Sequence, residues 1–251
     1  KWNFFHHFFF SEDDEAKDEG RFFFVILNMA CIEVIMHLEE QNMEIITENS
    51  ELLVACFFII ESAVSYLSNP DNQLSGILKQ RRNIQQALDN AFAAILKFLH
   101  DLSLQKDLLQ KIKHFVCATI RILGAWLSEE TQALRDEVYD IIPFIFQLAT
   151  ETFEVQKSSK LAVLPGRTGD EFTSESALTS LQNKGSQATT PDTLRFLIPA
   201  MCHLVAEDKP RKIILDMKMH ETLFTYLSYH WSIFDSFRQW LKAQVLFFVS
   251  K

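Results

Sequence analysis

An all-α chain of stacked helical hairpins, an α-solenoid, is what this sequence predicts, and three observations predict it. From Arg21 onward nearly every segment carries apolar residues at helical spacing. Gly and Pro number only six each and cluster between those segments, and no strand-like alternation competes. A proline-bearing helical pattern also occurs twice, as DEVYDIIPFIFQLATE (136–151) and DTLRFLIPAMCHLVAE (192–207). These share Asp136/Asp192, Ile142/Ile198, Pro143/Pro199, Leu148/Leu204 and Glu151/Glu207. Two bent helices of one pattern are what an array of repeating layers requires, since a bend lets successive layers rotate.

The spacing predicts helices over 21–40, 51–67, 75–102, 105–127, 129–155, 192–207, 210–229 and 233–249. The first holds FFFVILNMACIEVIM (22–36), which Asn28 and Glu33 interrupt and which falls short of the roughly 20 residues that span a bilayer. It reads as a buried helix. The second ends in the turn residues Ser68-Asn69-Pro70-Asp71-Asn72. In the third and fourth, Phe92, Phe98 and Phe115 follow the apolar spacing and read as core.

The fourth helix ends in Gly124-Ala125-Trp126-Leu127, where two small residues permit a close approach to the next helix and Trp126 fills space between layers. The fifth is predicted to start at Ser128. Its hydroxyl would cap the helix, with Glu129 and Glu130 at the positive end of the dipole. Leu134, Val138, Ile141, Ile142 and Ile145 form one broad apolar face, and Pro143 would remove a backbone hydrogen bond and bend the axis.

Residues 156–191 are rich in Ser, Thr, Gly, Lys and Gln and read as a flexible insertion. Beyond them, Glu207-Asp208-Lys209-Pro210 is a short turn, with Asp208 as cap and Pro210 in the first helical turn, so 192–229 forms a helical hairpin. Within RKIILDMKMHETLFTYLS (211–228) a break is expected near Lys218 to His220, as at the end of an armadillo repeat unit, although the usual glycine is missing. The domain plan is therefore an acidic disordered leader (1–20), solenoid helices (21–155), the insertion (156–191), and helices continuing the same right-handed array (192–251), of armadillo or HEAT type.

Composition narrows the function. The 251 residues are 48% hydrophobic, ample for a core, and the net charge of -9 repels phosphates, which argues against nucleic acid. Cys31, Cys56, Cys117 and Cys202 lie far apart with no CxxC pair, and neither a sequon nor a signal peptide is present, which points to a reduced, cytoplasmic setting. No GxSxG, HExxH, phosphate loop or GxGxxG occurs, and PGRTGDEF (165–172) lacks the Lys-Ser/Thr that grips phosphate. His6-His7 and Cys202-His203 are neighbours that point apart on a helix without a second pair at zinc spacing, so no metal is expected. Cys202 reads as a small core residue and not as a nucleophile. No catalytic residue, cofactor or small-molecule substrate is expected.

One charged feature stands out. Between residues 79 and 121, Lys79, Arg81, Arg82, Lys97, Lys106, Lys111, Lys113 and Arg121 face only Asp89, Asp101 and Asp107. This basic stripe is either a solvated helix face or a patch for acidic peptides, phosphorylated tails or anionic lipid headgroups. The expected partner surface comprises Lys79, Arg81, Arg82, Lys111 and Lys113, with Trp126 and Glu130 as a second choice.

RILGAWLSEETQALRDEVYDIIPF (121–144), LRFLIPAMCHLVAEDKPRKIIL (194–215) and FVILNMACIEVIMHLEE (24–40) together resemble the neurochondrin family, cytosolic armadillo-like proteins of neurons. Trp126-Leu127 before Glu129-Glu130-Thr131, and Cys202-His203-Leu204 before Glu207-Asp208, are the specific points of likeness, which spans roughly Arg21 to Trp231. The resemblance implies a non-enzymatic scaffold or regulator in neurite outgrowth and synaptic plasticity, binding metabotropic glutamate receptor tails and restraining calcium/calmodulin-dependent protein kinase II. It also implies a cytoplasmic location, dendritic and membrane-associated in the longer family members. The family's N-terminal palmitoylated cysteines have no counterpart here, many leucines have become Phe or Ile, and after Trp231 the likeness fades.

Overall fold

The computed structural model describes residues 16–40, 42–69, 81–129, 132–163, 192–231 and 235. Every regular element among them is helical. In chain order these are α1 (Ala16–Glu39), α2 (Met43–Glu48), α3 (Ser50–Ser68), α4 (Arg81–Ser103), α5 (Lys106–Lys111), α6 (Lys113–Leu127), α7 (Arg135–Val163), α8 (Thr193–Leu204) and α9 (Asp208–Asp216), followed by α10 over 219–231.

The long helices lie in two rows. In one, α1 packs on α4 and α4 on α7; in the other, α3 packs on α6 and α6 on α8. Contacts of α1 with α3 and of α7 with α8 join the rows. α10 extends the first row, since Phe153 of α7 meets Tyr226 and Tyr229 edge-on at 5.2 and 5.6 Å. This is an α-solenoid, as the apolar spacing predicts.

Sequence explains why the inner helices stack on both sides. α4 buries Ile84, Leu88, Ala91, Phe92, Ala94, Ile95, Leu96, Phe98, Leu99 and Leu102, which together circle most of the helix. Aromatic stacking ties the rows together: Trp126 of α6 lies over Phe92 of α4 at 4.4 Å, and Phe115 packs on Phe57 at 5.6 Å and against Phe98 at 5.8 Å. The expected core role of Phe92, Phe98, Phe115 and the interlayer role of Trp126 are seen directly.

Several boundaries differ from the sequence reading. Ser128 ends α6 and does not start the next helix: its amide donates to the Gly124 carbonyl and its hydroxyl to the Ala125 carbonyl. The following helix begins only at Arg135, after Leu134 takes a left-handed conformation with φ of 54°. Ser128 is a good cap in composition, but its hydroxyl is consumed by the preceding turn.

The close approach at Gly124 is also to a different neighbour. A Cβ there would lie 2.5 Å from the Phe196 carbonyl oxygen, so Gly124 admits α8 and not α7. The stretch expected as one helix over 105–127 breaks at Ile112 into α5 and α6. α7 runs on to Val163, into the expected insertion, and α1 starts at Ala16, inside the expected leader. Asp208 is the first residue of α9 and not its cap, while Pro210 does sit in the first turn.

The expected break after α9 falls at Met217 and Lys218. Lys218 adopts φ of 57°, the left-handed conformation that a glycine would supply more easily. The expected helix over 233–249 and the remainder of the insertion lie outside the described residues. α1 is buried on one face only, and by length and composition both α1 (Phe22–Glu39) and α3 are apolar enough to cross a membrane.

The two matching proline helices occupy different rows, α7 in one and α8 in the other, and they pack on each other. Pro143 and Pro199 are both exposed within their helices. The match therefore reports a shared amphipathic period and not equivalent places in successive layers.

Candidate partner-binding surface

The basic stripe comes from three elements. Arg82 and Lys97 are exposed on α4, Lys111 is the exposed last residue of α5, and Lys113, the first of α6, is half-buried. About 22 Å of helix axis separates Arg82 from Lys97, so the stripe is a ribbon of charge and not a cluster. Lys79 and Glu130 lie outside the described residues, as do the side chains of Arg81 and Lys106.

Arg121 leaves the stripe for a structural role. Its guanidinium pairs with Glu61 of α3 at 3.0 Å and lies over the Phe196 ring of α8 at 5.0 Å, bridging three consecutive helices of one row. Trp126 is 2% exposed and stacked on Phe92, so it belongs to the core and presents nothing to a partner. That part of the expected surface is corrected.

A polar clasp, which the sequence reading did not single out, holds the start of α7 to the turn between α8 and α9. Tyr139 donates its hydroxyl to Glu207 at 2.5 Å, Arg135 pairs with the same carboxylate at 3.0 Å, and Lys209 reaches Asp136 at 3.3 Å while lying over the Tyr139 ring. Burial, then the Glu207 carboxylate, pushes the Tyr139 phenol up, so it stays a donor. The adjoining recess, lined by Leu127, Ala133, Val138, His203 and Leu204 with the clasp residues, measures about 20 Å³. It has room for one water and none for a substrate.

A second polar hub is Asp192. One of its oxygens accepts the Arg195 amide at 3.2 Å and caps α8; the other accepts the Tyr226 hydroxyl at 2.7 Å, with His230 at 3.7 Å. Burial, followed by the Asp192 carboxylate, raises the Tyr226 phenol. Below it, Thr193 donates to the Cys117 sulfur at 3.7 Å, and Thr152 and Thr193 bond each other at 3.2 Å. Asp136, Asp192 and Glu207 were visible in the matched pattern; their partners Lys209, Tyr226 and Tyr139 lie 34 to 73 residues away and gave no local signal.

Among the described residues no group of three His, Cys, Asp or Glu could hold a metal, and His6-His7 lie outside them. Cys31, Cys56 and Cys117 are buried, and burial raises all three thiols, Cys31 to about 12. Cys202, expected in the core, is exposed, because α8 turns it away from both α6 and α7 while Leu197, Ala200, Met201 and Leu204 take the buried positions.

Rows of stacked helices, polar groups engaged in joining them, and an exposed ribbon of charge define a helical-array protein. The comparison with known proteins places it more narrowly. The neurochondrin family model matches residues 7–244, and the chain belongs to the neurochondrin family. It is 29% identical over 219 residues to the neurochondrin homolog of Drosophila melanogaster, with 86% of this chain and 27% of that protein covered. Neurochondrin of Gallus gallus is 30% identical over 217 residues (86% and 28%), and that of Homo sapiens 29% over 217 residues (85% and 27%). The chain thus spans a little over a quarter of the length of these relatives. No solved structure matches it.

Proposed function

We propose that this chain is a non-enzymatic scaffold segment that binds signalling proteins along its exposed helix faces, in the manner the neurochondrin resemblance implies. Membership of that family is the observation that carries the reading. The finer assignment names receptor cytoplasmic tails and a calcium/calmodulin-dependent kinase as partners, in a cytoplasmic protein of neuron projections acting in neurite outgrowth and synaptic plasticity. Curved stacks of helices suit this task, because they offer long surfaces without needing a pocket.

The contact surface we favour is the ribbon through Arg82, Lys97, Lys111 and Lys113, with Lys79 and Arg81 adjoining it in sequence. It supplies cations for acidic or phosphorylated tails on a chain of opposite overall charge. The experiment is titration of a purified receptor-tail peptide, and separately of the kinase, against the chain and against a charge-reversed form (Arg82, Lys97, Lys111 and Lys113 to Glu), with circular dichroism on both. Loss of tenfold or more in affinity at equal helicity supports the ribbon; equal affinity overturns it, and no binding by either form overturns the partner assignment. Salt-sensitive sedimentation with anionic vesicles, in place of protein binding, would favour a peripheral membrane adaptor using the same cations.

A further inference from the structure

The basic ribbon has a register where it runs along α4. Arg82, Gln86, Asn90, Ala93 and Lys97 follow one another at steps of four, four, three and four. At about 3.6 residues per turn these positions stay within an arc of about 80°, one residue to each turn. All are exposed except Ala93, which is half-buried and adds no bulk to the stripe. Among the described residues, Arg82 and Lys97 have no carboxylate within ion-pair distance, and the same holds for Lys111 and Lys113. Elsewhere Arg121, Arg135, Lys157 and Lys209 each hold one. Gln86 and Asn90, between the two α4 cations, make no side-chain hydrogen bond to the described residues.

Two acids border the stripe, and both are half-buried and engaged within the chain. Asp89 accepts the Gln85 amide at 3.0 Å, and Asp101 is also partnered. Asp89 lies about 10 Å along the axis from Arg82, close to midway between the cations, whereas Asp101 lies about 6 Å beyond Lys97. The stripe is therefore cationic at its two ends, amide between them, and flanked by negative charge at its middle.

A side-chain amide offers both a donor and an acceptor, as a peptide unit does. Successive turns of α4 rise about 6 Å, and alternate residues of an extended chain about 6.6 Å, so Gln86 and Asn90 match successive peptide units along one edge of such a chain. The same pitch sets where its acids fall. The separation of about 22 Å between Arg82 and Lys97 corresponds to about six extended residues, the small remainder being within reach of the two long side chains. Six is an even number, so both acids leave the peptide on one side.

We infer that the ribbon receives an extended peptide laid along α4, its main chain on Gln86 and Asn90, with two acidic groups about six residues apart and none between them. This rests on the reading of the ribbon as a partner surface and specifies the ligand that surface takes. Asp89 sets the specificity, because it repels an acid carried at the middle of the peptide.

Three synthetic peptides titrated against the full chain at about 0.1 M salt test this. One carries two phosphoserines six residues apart in an otherwise uncharged sequence, one carries them two apart, and one adds a third phosphoserine between the six-spaced pair. The first is expected to bind about tenfold tighter than either of the others, although the third has more charge. Gln86→Ala with Asn90→Ala should weaken the first peptide about tenfold with unchanged salt dependence, because only uncharged hydrogen bonds are lost. Circular dichroism checks that this variant keeps its helicity, which alanine favours. Asp89→Asn should bring the third peptide to at least the affinity of the first. Equal affinity for the first two peptides, or tightest binding by the third, overturns the inference; if Arg82→Glu with Lys97→Glu still abolishes that binding, the ribbon remains a partner surface. Affinity untouched by the double-alanine variant overturns docking of the main chain on the amides. Binding of none of the three also overturns the inference, while the receptor-tail titration decides the ribbon reading separately.

Discussion

Gly124→Ala is the substitution whose outcome follows most directly from the coordinates. Gly124 lies in α6, three residues before its last, and the added methyl would sit 2.5 Å from the carbonyl oxygen of Phe196, 3.1 Å from its carbonyl carbon and 3.5 Å from the Leu197 side chain. The first of these is about 0.9 Å inside ordinary contact at 3.4 Å. Both close atoms are backbone of α8, so no rotamer change relieves them; α6 and α8 must separate. Alanine is the better helix former by about 1 kcal/mol, and overpacking a core costs about 1–3 kcal/mol. With a rigid neighbour the upper part of that range applies, leaving a net loss of about 1–2 kcal/mol.

For a chain of this size that corresponds to a fall in Tm of roughly 2–8 °C. Thermal unfolding followed by circular dichroism at 222 nm measures it, and Gly124→Val extends the series with a larger loss. Amide exchange adds a local readout: α8 should exchange faster while α1 and α3, which do not touch this contact, keep their rates. A Tm equal to or above that of the unaltered chain would refute the reasoning, since propensity alone would then be acting at Gly124.

Three further outcomes are expected. Lys218→Gly should stabilise the chain by up to about 1 kcal/mol, because Lys218 holds a left-handed conformation that glycine adopts without strain; urea unfolding measures it, and a loss of stability would refute it. Tyr226→Phe should destabilise by about 1 kcal/mol at pH 8 through the lost bond to Asp192, with the difference shrinking as pH rises. The sign follows from a folded phenol raised above its unfolded value near 10: its contribution is complete below that pH and is lost as the unfolded chain ionises first, so urea midpoints at pH 8 and 10.5 should converge. Ellman's reagent at pH 8 should react quickly with one thiol, Cys202, and with Cys31, Cys56 and Cys117 only on unfolding.

How much of this was legible in the sequence depends on the range over which each signal acts. The helices of the rows follow from apolar period, and their cores follow with them: Val138, Ile141, Ile142 and Ile145 are buried as their spacing requires. Helix ends were less legible. Ser128 could cap either the turn before or the turn after it, and the decision rests on the left-handed Leu134, which no local composition announces. The neighbour of Gly124 was illegible for a different reason. A small residue declares that something comes close, but which helix arrives is set by the row, and α8 comes from beyond the segment 164–191.

The matched pattern around Pro143 and Pro199 makes the same point at the level of single carboxylates. Asp136 and Asp192 occupy one position of the pattern, yet Asp136 meets Lys209 in an exposed pair while Asp192 caps α8 and holds α10 through Tyr226. Glu151 and Glu207 share another; Glu151 bonds Gln147 one turn away on its own helix, whereas Glu207 joins Tyr139 and Arg135 across the gap between α7 and α9. Since α7 and α8 lie in opposite rows and pack face to face, their identical residues look out on different neighbours. A repeat read from sequence fixes the positions buried in both helices, Val138/Leu194, Ile141/Leu197 and Leu148/Leu204, but not those at the margin, where Phe146 is buried and the matching Cys202 is exposed. What the polar residues do is fixed by the row in which the helix comes to rest.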